Sequence, residues 1–414
     1  MAIKLHFHLV SSLVAALDEI FLDHKYADKV IERNFKQNRK WGSRDRQFFA
    51  ETVYEIVRHR RRLEFIVQSQ ESWDLLAAYL LQTMNELPDW AEFDHLNITD
   101  MKKRNSSEKP PEVANSFPDW IHQIGLAEFK DQWNPIMNAL NKPAEVFLRV
   151  NTLRTKPLEL IELLAKDEIA AELLPATQKL TGDAEGADLA TALPHCVKLV
   201  KRKNVFVTEA FRKGFFEVQD AASQLVAPLL QVQPGQRVVD TCAGAGGKSL
   251  HLAALMKNKG KIISMDIHEW KLKELKTRAA RDGVDIIETK VIESSKTIKR
   301  MEKTFDRVLL DVPCSGMGVL RRNPDTKWKL NLEELNRLVD LQREIISKYS
   351  ELCKENGLMV YATCSLLHRE NEEQVKWFLA SDVGANWELE KELRVWPHKD
   401  GFDGFYAARL RRVR

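Results

Sequence analysis

The sequence predicts an α/β protein: a doubly wound, mostly parallel sheet, preceded by an all-helical region and a small α/β module. Three observations carry this. Apolar residues recur at helical spacing from residue 1 to about 140. From Ala144 the spacing changes to the alternation of strands. From Gln236 onward, short apolar strands alternate with helical stretches, the pattern of parallel βαβ units. The expected divisions are residues 1–140 (helical), 141–215 (small module) and 216–414 (sheet domain).

In the helical region, Leu9, Leu13, Ala16, Leu17 and Ile20 form one stripe, and Ala27, Val30, Ile31 and Phe35 a second. A third helix is signalled by Ser43 as its N-cap, Asp45 in its first turn and a stripe of Phe49, Val53, Ile56 and Val57. Residues 104–118, rich in Ser and Pro, read as a linker or long loop. Trp120 and Trp133 flank a further helical piece and read as core.

In the module, Glu145–Leu153 alternates like a strand, and Pro157–Lys166 reads as a helix with proline in its first turn. Short strands are expected at Val197–Val200 and Val205–Val207. In the sheet domain the expected strands are Arg237–Asp240, Lys261–Asp266, Asp285–Val291, Asp306–Asp311 and Gly357–Thr363. Helices run to Met256, from Glu269 to about Arg281, and from Glu370 to about Ala380. Trp387–Val395 and Phe405–Leu410 close the sheet.

Bulk properties exclude several classes. At 414 residues and 44% apolar residues, the chain can fill more than one domain core. No run of about 18 apolar residues occurs, so no membrane span is expected. The start, Met1-Ala-Ile-Lys-Leu-His-Phe-His8, lacks a long apolar region and a small-residue cleavage site, which argues against secretion. Five cysteines are too few for a disulfide scaffold, and no Cys-x-x-Cys or His-x-x-x-His spacing suggests a metal. A monomer in a reducing cytoplasm fits these counts. A net charge of +3 is too mild to establish a nucleic-acid partner, so local clusters must carry that argument.

In an open parallel sheet, ligands bind beyond the carboxyl ends of the strands. If the strands ending at Asp311 and Thr363 are neighbours, Asp311, Cys314 and Cys364 meet in one pocket. A free cysteine is usually an inert small hydrophobe, and Cys196 and Cys353 read that way. The position of Cys314 and Cys364 past strand ends argues for chemistry instead.

The first sheet strand leads into Cys242-Ala243-Gly244-Ala245-Gly246-Gly247-Lys248-Ser249, a glycine turn at a helix start. A phosphate-binding P-loop needs glycine where Cys242 stands, and a dinucleotide fingerprint needs glycine where Ser249 stands. What remains is S-adenosylmethionine, which needs neither spacing, or a tight structural turn. Asp266, at the end of the second strand, suits a ribose diol.

At this point the residues resemble a known family. Asp240-Thr-Cys-Ala-Gly-Ala-Gly-Gly-Lys248, Asp311-Val-Pro-Cys314 and Thr363-Cys-Ser365 are similar to the signature of RNA cytosine-5 methyltransferases of the RsmB/Nop2/Sun type. Phe216-Glu-Val-Gln-Asp220, Gly318 to Trp328, Glu370-Asn-Glu372 and Asp403-Gly-Phe-Tyr406 support it, in the right order over residues 145–414. The helical start resembles the NusB-like RNA-binding domain of the RsmB branch, which implies 16S rRNA as substrate. The module resembles the family's RNA-recognition-like insert, with Arg149 and Asn151 in its opening strand.

By this resemblance, Cys242 to Lys248 and Asp266 bind S-adenosylmethionine, and Asp311 lies between cofactor and base. Cys364 is the nucleophile and Cys314 assists release. The residue facing the adenine falls at Glu293, where the family tends to have Asp. Gly244-Ala245, Lys271 and His368 also depart from the usual pattern, without removing a reacting group.

The chemistry suits these residue types. Cytosine carbon 5 is a poor nucleophile until a thiolate adds at carbon 6, and sulfur both attacks well and leaves again. A carboxyl near ring nitrogen 3 stabilises the charge that develops. The base must be extruded from any stack to reach the pocket. RNA contacts are expected at Arg39, Arg60 and Arg61, where Trp41 and His59 interleave with arginines. Arg321, Arg322 and Lys327, beside Trp328, are a second group. Three readings compete with rRNA methylation: the same chemistry on tRNA, an RNA-binding ribosome assembly factor without turnover, and a dehydrogenase. The presence of Cys364 and the glycine turn counts against the assembly factor, and Ser249 against the dehydrogenase.

Overall fold

The computed structural model describes residues 5–175, 179–180 and 189–414. It divides into two compact units, Met1–Lys142 with Leu320–Leu332, and Pro143–Val319 with Glu333–Arg414.

The first unit is helical. Helices Phe7–Phe21, Ala27–Gln37, Ser43–Arg58, Arg60–Val67 and Ser72–Met84 turn their apolar stripes onto one core. Leu13, Leu17, Phe49, Val53 and Ile56 are fully buried there, as the helical spacing requires. The third helix is capped differently from expectation. Ser43 is already helical, Gly42 is the N-cap, and Asp45 Oδ2 reaches back to accept from Gly42 N at 3.1 Å. Residues 104–118 are not a linker. Pro111 starts a short helix, and Ser116 and Phe117 have no exposed surface. Ser116 Oγ accepts from Arg62 N at 2.8 Å, so the stretch is fastened to the unit.

Leu320–Leu332, read from sequence as part of the sheet domain, packs within this helical unit. The last carbonyls of a helix have no partner inside it. Here Trp328 Nε1 donates to Val57 O at 2.6 Å and Lys327 Nζ to Arg58 O at 2.7 Å. Arg58 in turn donates to Arg321 O at 3.1 Å.

The second unit holds two sheets. The smaller has strands β1 (Phe147–Val150), β2 (Ala171–Leu173), β3 (Cys196–Leu199) and β4 (Phe216–Val218), in the order β2-β3-β1-β4. Val205–Val207, expected as a strand, is a turn, with Phe206 and Val207 exposed. β1 pairs with β3 on one side and β4 on the other, so the division expected after residue 215 cuts this sheet.

The larger sheet has β5 (Arg237–Asp240), β6 (Lys261–Asp266), β7 (Ile287–Val291), β8 (Phe305–Asp311), β9 (Cys353–Thr363), β10 (Trp387–Val395) and β11 (Phe405–Arg412). Their order is β10-β11-β9-β8-β5-β6-β7. Strands β5 to β9 pair in parallel, and β11 and β10 close the β9 edge antiparallel. This is the Rossmann-like, doubly wound sheet expected. A 19-residue helix, Leu332–Ser350, precedes β9 and was not anticipated. The chain leaves β5 toward β6 and β7 and returns to β8 on its other side, which places the topological switch at β5 and β8.

Candidate active site

Beyond the end of β5, Gly246 has φ of +87° and caps the helix Gly247–Leu255. A Cβ at Gly246 would lie 1.9 Å from Leu275 Cδ1, so this glycine also lets two helices close. Gly244 differs: no atom lies within 4 Å of where its Cβ would be, which leaves the turn open to a ligand. Arg278 fixes the turn by donating to Ala245 O at 2.7 Å, and Arg149 donates to Gly247 O. Asp266 accepts Gly244 N at 2.9 Å and His268 N at 2.8 Å, so it shapes the turn as well as facing the cleft.

A cleft of about 1230 Å³ opens beside this turn, lined by Cys242, Asp266, Ile267, His268, Ile292, Glu293 and residues of the Leu332–Ser350 helix. It has room for a nucleoside-sized ligand. Glu293 is exposed on its wall. Burial raises the pKa of the Cys242 thiol, which suits a shaping role.

Asp240, on β5, is 1% exposed. Its Oδ2 accepts Ser249 Oγ at 2.7 Å, and its Oδ1 is buried without a hydrogen-bond partner among the described residues. Burial pushes its carboxyl from 3.8 up to about 7. The folded state therefore keeps a proton that the unfolded chain releases. The stability this confers is full below pH 3.8 and is lost as pH rises through about 7. Asp240→Asn should flatten that part of the melting-temperature profile. A profile parallel to wild type would exclude Asp240 as its source.

A second pocket, of about 340 Å³, is lined by Asp311, Val312, Pro313, Cys314, Val319, Cys364, Lys248, Phe405, Asp220, Ser223 and Asp403. The register of β8 against β9 pairs Asp311 with Ala362, which brings the loops after both strands together. Cys314 Sγ lies 3.4 Å from Cys364 Sγ. The three residues expected to meet do so. Gly318 makes the approach possible: a Cβ there would lie 2.7 Å from Cys364 O, and Gly318 N donates to that carbonyl at 2.9 Å. The hydrogen bond to Cys364, reinforced by burial, drives the Cys314 thiol well above its ordinary value. Either sulfur can donate to the other.

Lys248 is not on the wall of the larger cleft. Its ammonium sits 2.6 Å from Asp311 Oδ2 and 5.0 Å from the centre of the Phe405 ring. The sequence showed that a lysine follows the glycines, but not that it pairs with a carboxylate two strand ends away. Asp220, Asp403 and Phe405 were also missed as pocket residues. They lie in the motifs Phe216–Asp220 and Asp403–Tyr406, which carry the resemblance without marking a pocket.

The expected RNA contacts fall into two groups. Arg39 is exposed, with Lys40 and Arg44 beside it in sequence and also exposed. Arg60 and Arg61 instead serve the helical unit. Arg60 Nε donates to Glu64 at 2.7 Å and its guanidinium lies over Phe21, while Arg61 donates to Phe117 O and Asp119, both at 2.6 Å. Lys327 is 1% exposed and Arg321 8%, so neither presents its charge to a phosphate; Arg322 is half-buried. A strip unnoticed in the sequence is Lys201-Arg-Lys203 with Phe206, all exposed on the turn after β3.

Comparison with known proteins gives the family. Residues 227–411 match the family described as "16S rRNA methyltransferase RsmB/F", and residues 117–182 match "Methyltr_RsmF/B-like, ferredoxin-like domain". The chain is 35% identical to "Probable ribosomal RNA small subunit methyltransferase B" of Bacillus subtilis (strain 168), over 96% of this chain and 97% of that one. The protein of the same name from Synechocystis sp. is 29% identical over 94% of this chain and 96% of that one. The crystal structure of PH0851 superposes with a TM-score of 0.79 at 26% identity, covering 98% of this chain and 99% of the other. With more than a third of its residues shared over almost the whole length of such a relative, and with the family match over residues 227–411, the chain belongs to the RsmB/F family of RNA methyltransferases.

Proposed function

We propose that the protein transfers a methyl group from S-adenosylmethionine to carbon 5 of a cytosine in 16S rRNA, through a covalent adduct of Cys364 at carbon 6. The observation that carries this reading is the pair of sulfurs 3.4 Å apart in a pocket shared with the Asp311–Lys248 ion pair. The names of the relatives favour rRNA of the small subunit as substrate.

The residues divide the work. Cys364, which directly follows β9 and lies 3.4 Å from Cys314, is the sulfur that attacks carbon 6. The S–C6 bond forms and the ring electrons move to carbon 5. Asp311, with the Lys248 ammonium against it, faces the ring nitrogen where charge develops. S-adenosylmethionine supplies an electrophilic methyl group, and Cys242, Asp266 and Glu293, with the turn Ala243–Gly247, would hold it in the larger cleft. After transfer a water molecule takes the carbon 5 proton, the ring double bond re-forms and the S–C6 electron pair returns to Cys364. Cys314 assists this release.

Bisulfite sequencing of all RNA from a deletion strain tests the substrate. One cytosine of 16S rRNA should lose its resistance to conversion. Loss at a tRNA position would redirect the reading, and no loss anywhere would refute it.

The cofactor site is checked by calorimetry with S-adenosylhomocysteine. Asp266→Ala should weaken binding by about 1–3 kcal/mol, the range for an unpaired polar group. Unchanged affinity would remove Asp266 from the site. For RNA, Arg39→Glu with Arg44→Glu should weaken binding and flatten its salt dependence, because fewer phosphate charges are neutralised. Methylation of a short target oligonucleotide should suffer less. An unaltered salt slope would mark this face as merely solvated.

A further inference from the structure

The residue after each pocket cysteine is a serine, and both serines donate to one buried carboxylate. Ser315 Oγ lies 2.5 Å from Glu370 Oε2, and Ser365 Oγ donates to the same oxygen. Glu370 Oε1 accepts Ser315 N at 2.8 Å and Gln342 Nε2 at 3.0 Å. Gln342 Nε2 also donates to Pro313 O at 2.9 Å, on the Cys314 loop. Next to Glu370, Asn371 Nδ2 donates to Ser365 O at 3.0 Å, and its Oδ1 accepts from Thr363 Oγ1. Glu370 and Gln342 have no exposed surface, and Ser315 and Ser365 have 3% and 1%.

Burying a carboxylate is costly unless it is fully hydrogen-bonded. This one is, and its partners come from the two loops that carry the sulfurs. Glu370 does not line the base pocket, so it touches no reacting atom. The ladder of β8 against β9 ends at Asp311 and Ala362, and past it the Gly318 N to Cys364 O bond is a main-chain link between the loops. What joins them past that point includes this carboxylate.

We propose that Glu370 is the positioning residue that sets the distance between the two thiols, and through it the handover from attack to release. The proposal rests on the covalent reading above. A carboxylate oxygen can accept from both serine hydroxyls at once. All four neighbours of this carboxylate donate, so Glu370→Gln keeps the shape while its amide nitrogen faces donors on one side, either the two serine hydroxyls or Ser315 N with Gln342 Nε2.

Two readouts test it in the full-length protein. In Glu370→Gln, kcat should fall about 10²-fold, the scale for roughly 1 Å of misplacement. KM for RNA and affinity for S-adenosylhomocysteine should hold within about twofold, and covalent protein–RNA adduct should accumulate on denaturing gels. Independently of catalysis, diamide oxidises a dithiol to a disulfide while it is reduced to its hydrazine. The rate of Cys314–Cys364 disulfide formation, read by mass spectrometry of peptides, should fall in the variant. Ser315→Ala with Ser365→Ala removes the same bonds from the other side and should reproduce both effects if Glu370→Gln does not fold. Wild-type kcat with a wild-type oxidation rate would overturn the proposal. So would a loss of melting temperature and cofactor affinity in parallel with activity, with no adduct. If wild type and Cys314→Ala form neither 5-methylcytosine nor adduct, the covalent reading falls, and the oxidation rate still decides whether Glu370 holds the pair.

Discussion

Cys364→Ala is expected to abolish methylation and to form no covalent RNA adduct, whereas Cys314→Ala should attack, transfer the methyl group and then stall. The two thiols are 3.4 Å apart, so proximity alone does not separate their roles. Position along the chain does: Cys364 directly follows β9, whereas Cys314 lies three residues past Asp311 on a turn, and its thiol, hydrogen-bonded to Cys364 and buried, is raised well above its ordinary value. A thiolate, not a thiol, adds to an electron-poor ring carbon. Removing Cys314 therefore leaves the nucleophile in place and impairs the loss of the carbon 5 proton. Denaturing gels with labelled RNA would show the stalled species as a slow band containing protein and RNA. That band in Cys364→Ala and not in Cys314→Ala would reverse the assignment. Turnover at the wild-type rate in both variants would rule out covalent catalysis by this pair.

Asp311→Asn should lower kcat by about 10²–10⁴-fold, the range for a positioned proton-transfer group. The substitution keeps the shape of the side chain and removes the negative charge that Lys248 contacts at 2.6 Å. The Lys248 ammonium would then lie beside a neutral amide, and the charged pair held against the ring would be lost. Affinity for S-adenosylhomocysteine should change much less, because Asp311 lines the base pocket and is absent from the wall of the larger cleft. A drop in cofactor affinity as large as the drop in kcat would move Asp311 from the base to the cofactor. Near-wild-type kcat would take it out of the chemistry.

The strands of the larger sheet were legible because a strand buried on both faces writes an apolar run into the chain. Val238–Val239, Ile262–Ile263 and Val308–Leu310 are such runs, and all are buried. The edge strand Ala171–Leu173 was missed because its side chains are partly or fully exposed and carry no such mark. Val205–Val207 was misread for the converse reason. Its apolar residues look like a strand, but Phe206 and Val207 face solvent.

The sequence by itself determined the candidate groups and the strand ends that carry them: Asp311 and Cys314 after one apolar run, Cys364 after another, and the glycine turn after a third. These are local patterns, and local patterns survive in one dimension. Only the tertiary structure decided which charges are free to meet RNA. Lys327 and Arg39 are equally cationic in the sequence, yet one donates to the carbonyl of Arg58 inside the helical unit and the other stands in solvent. The same holds for Lys248, whose partner Asp311 lies 63 residues away, and for Glu370, which gathers Ser315 from 55 residues away. A charge carries no record of its partner. The hydrogen bond that fixes its role forms only when strand order and register bring distant segments within about 3 Å.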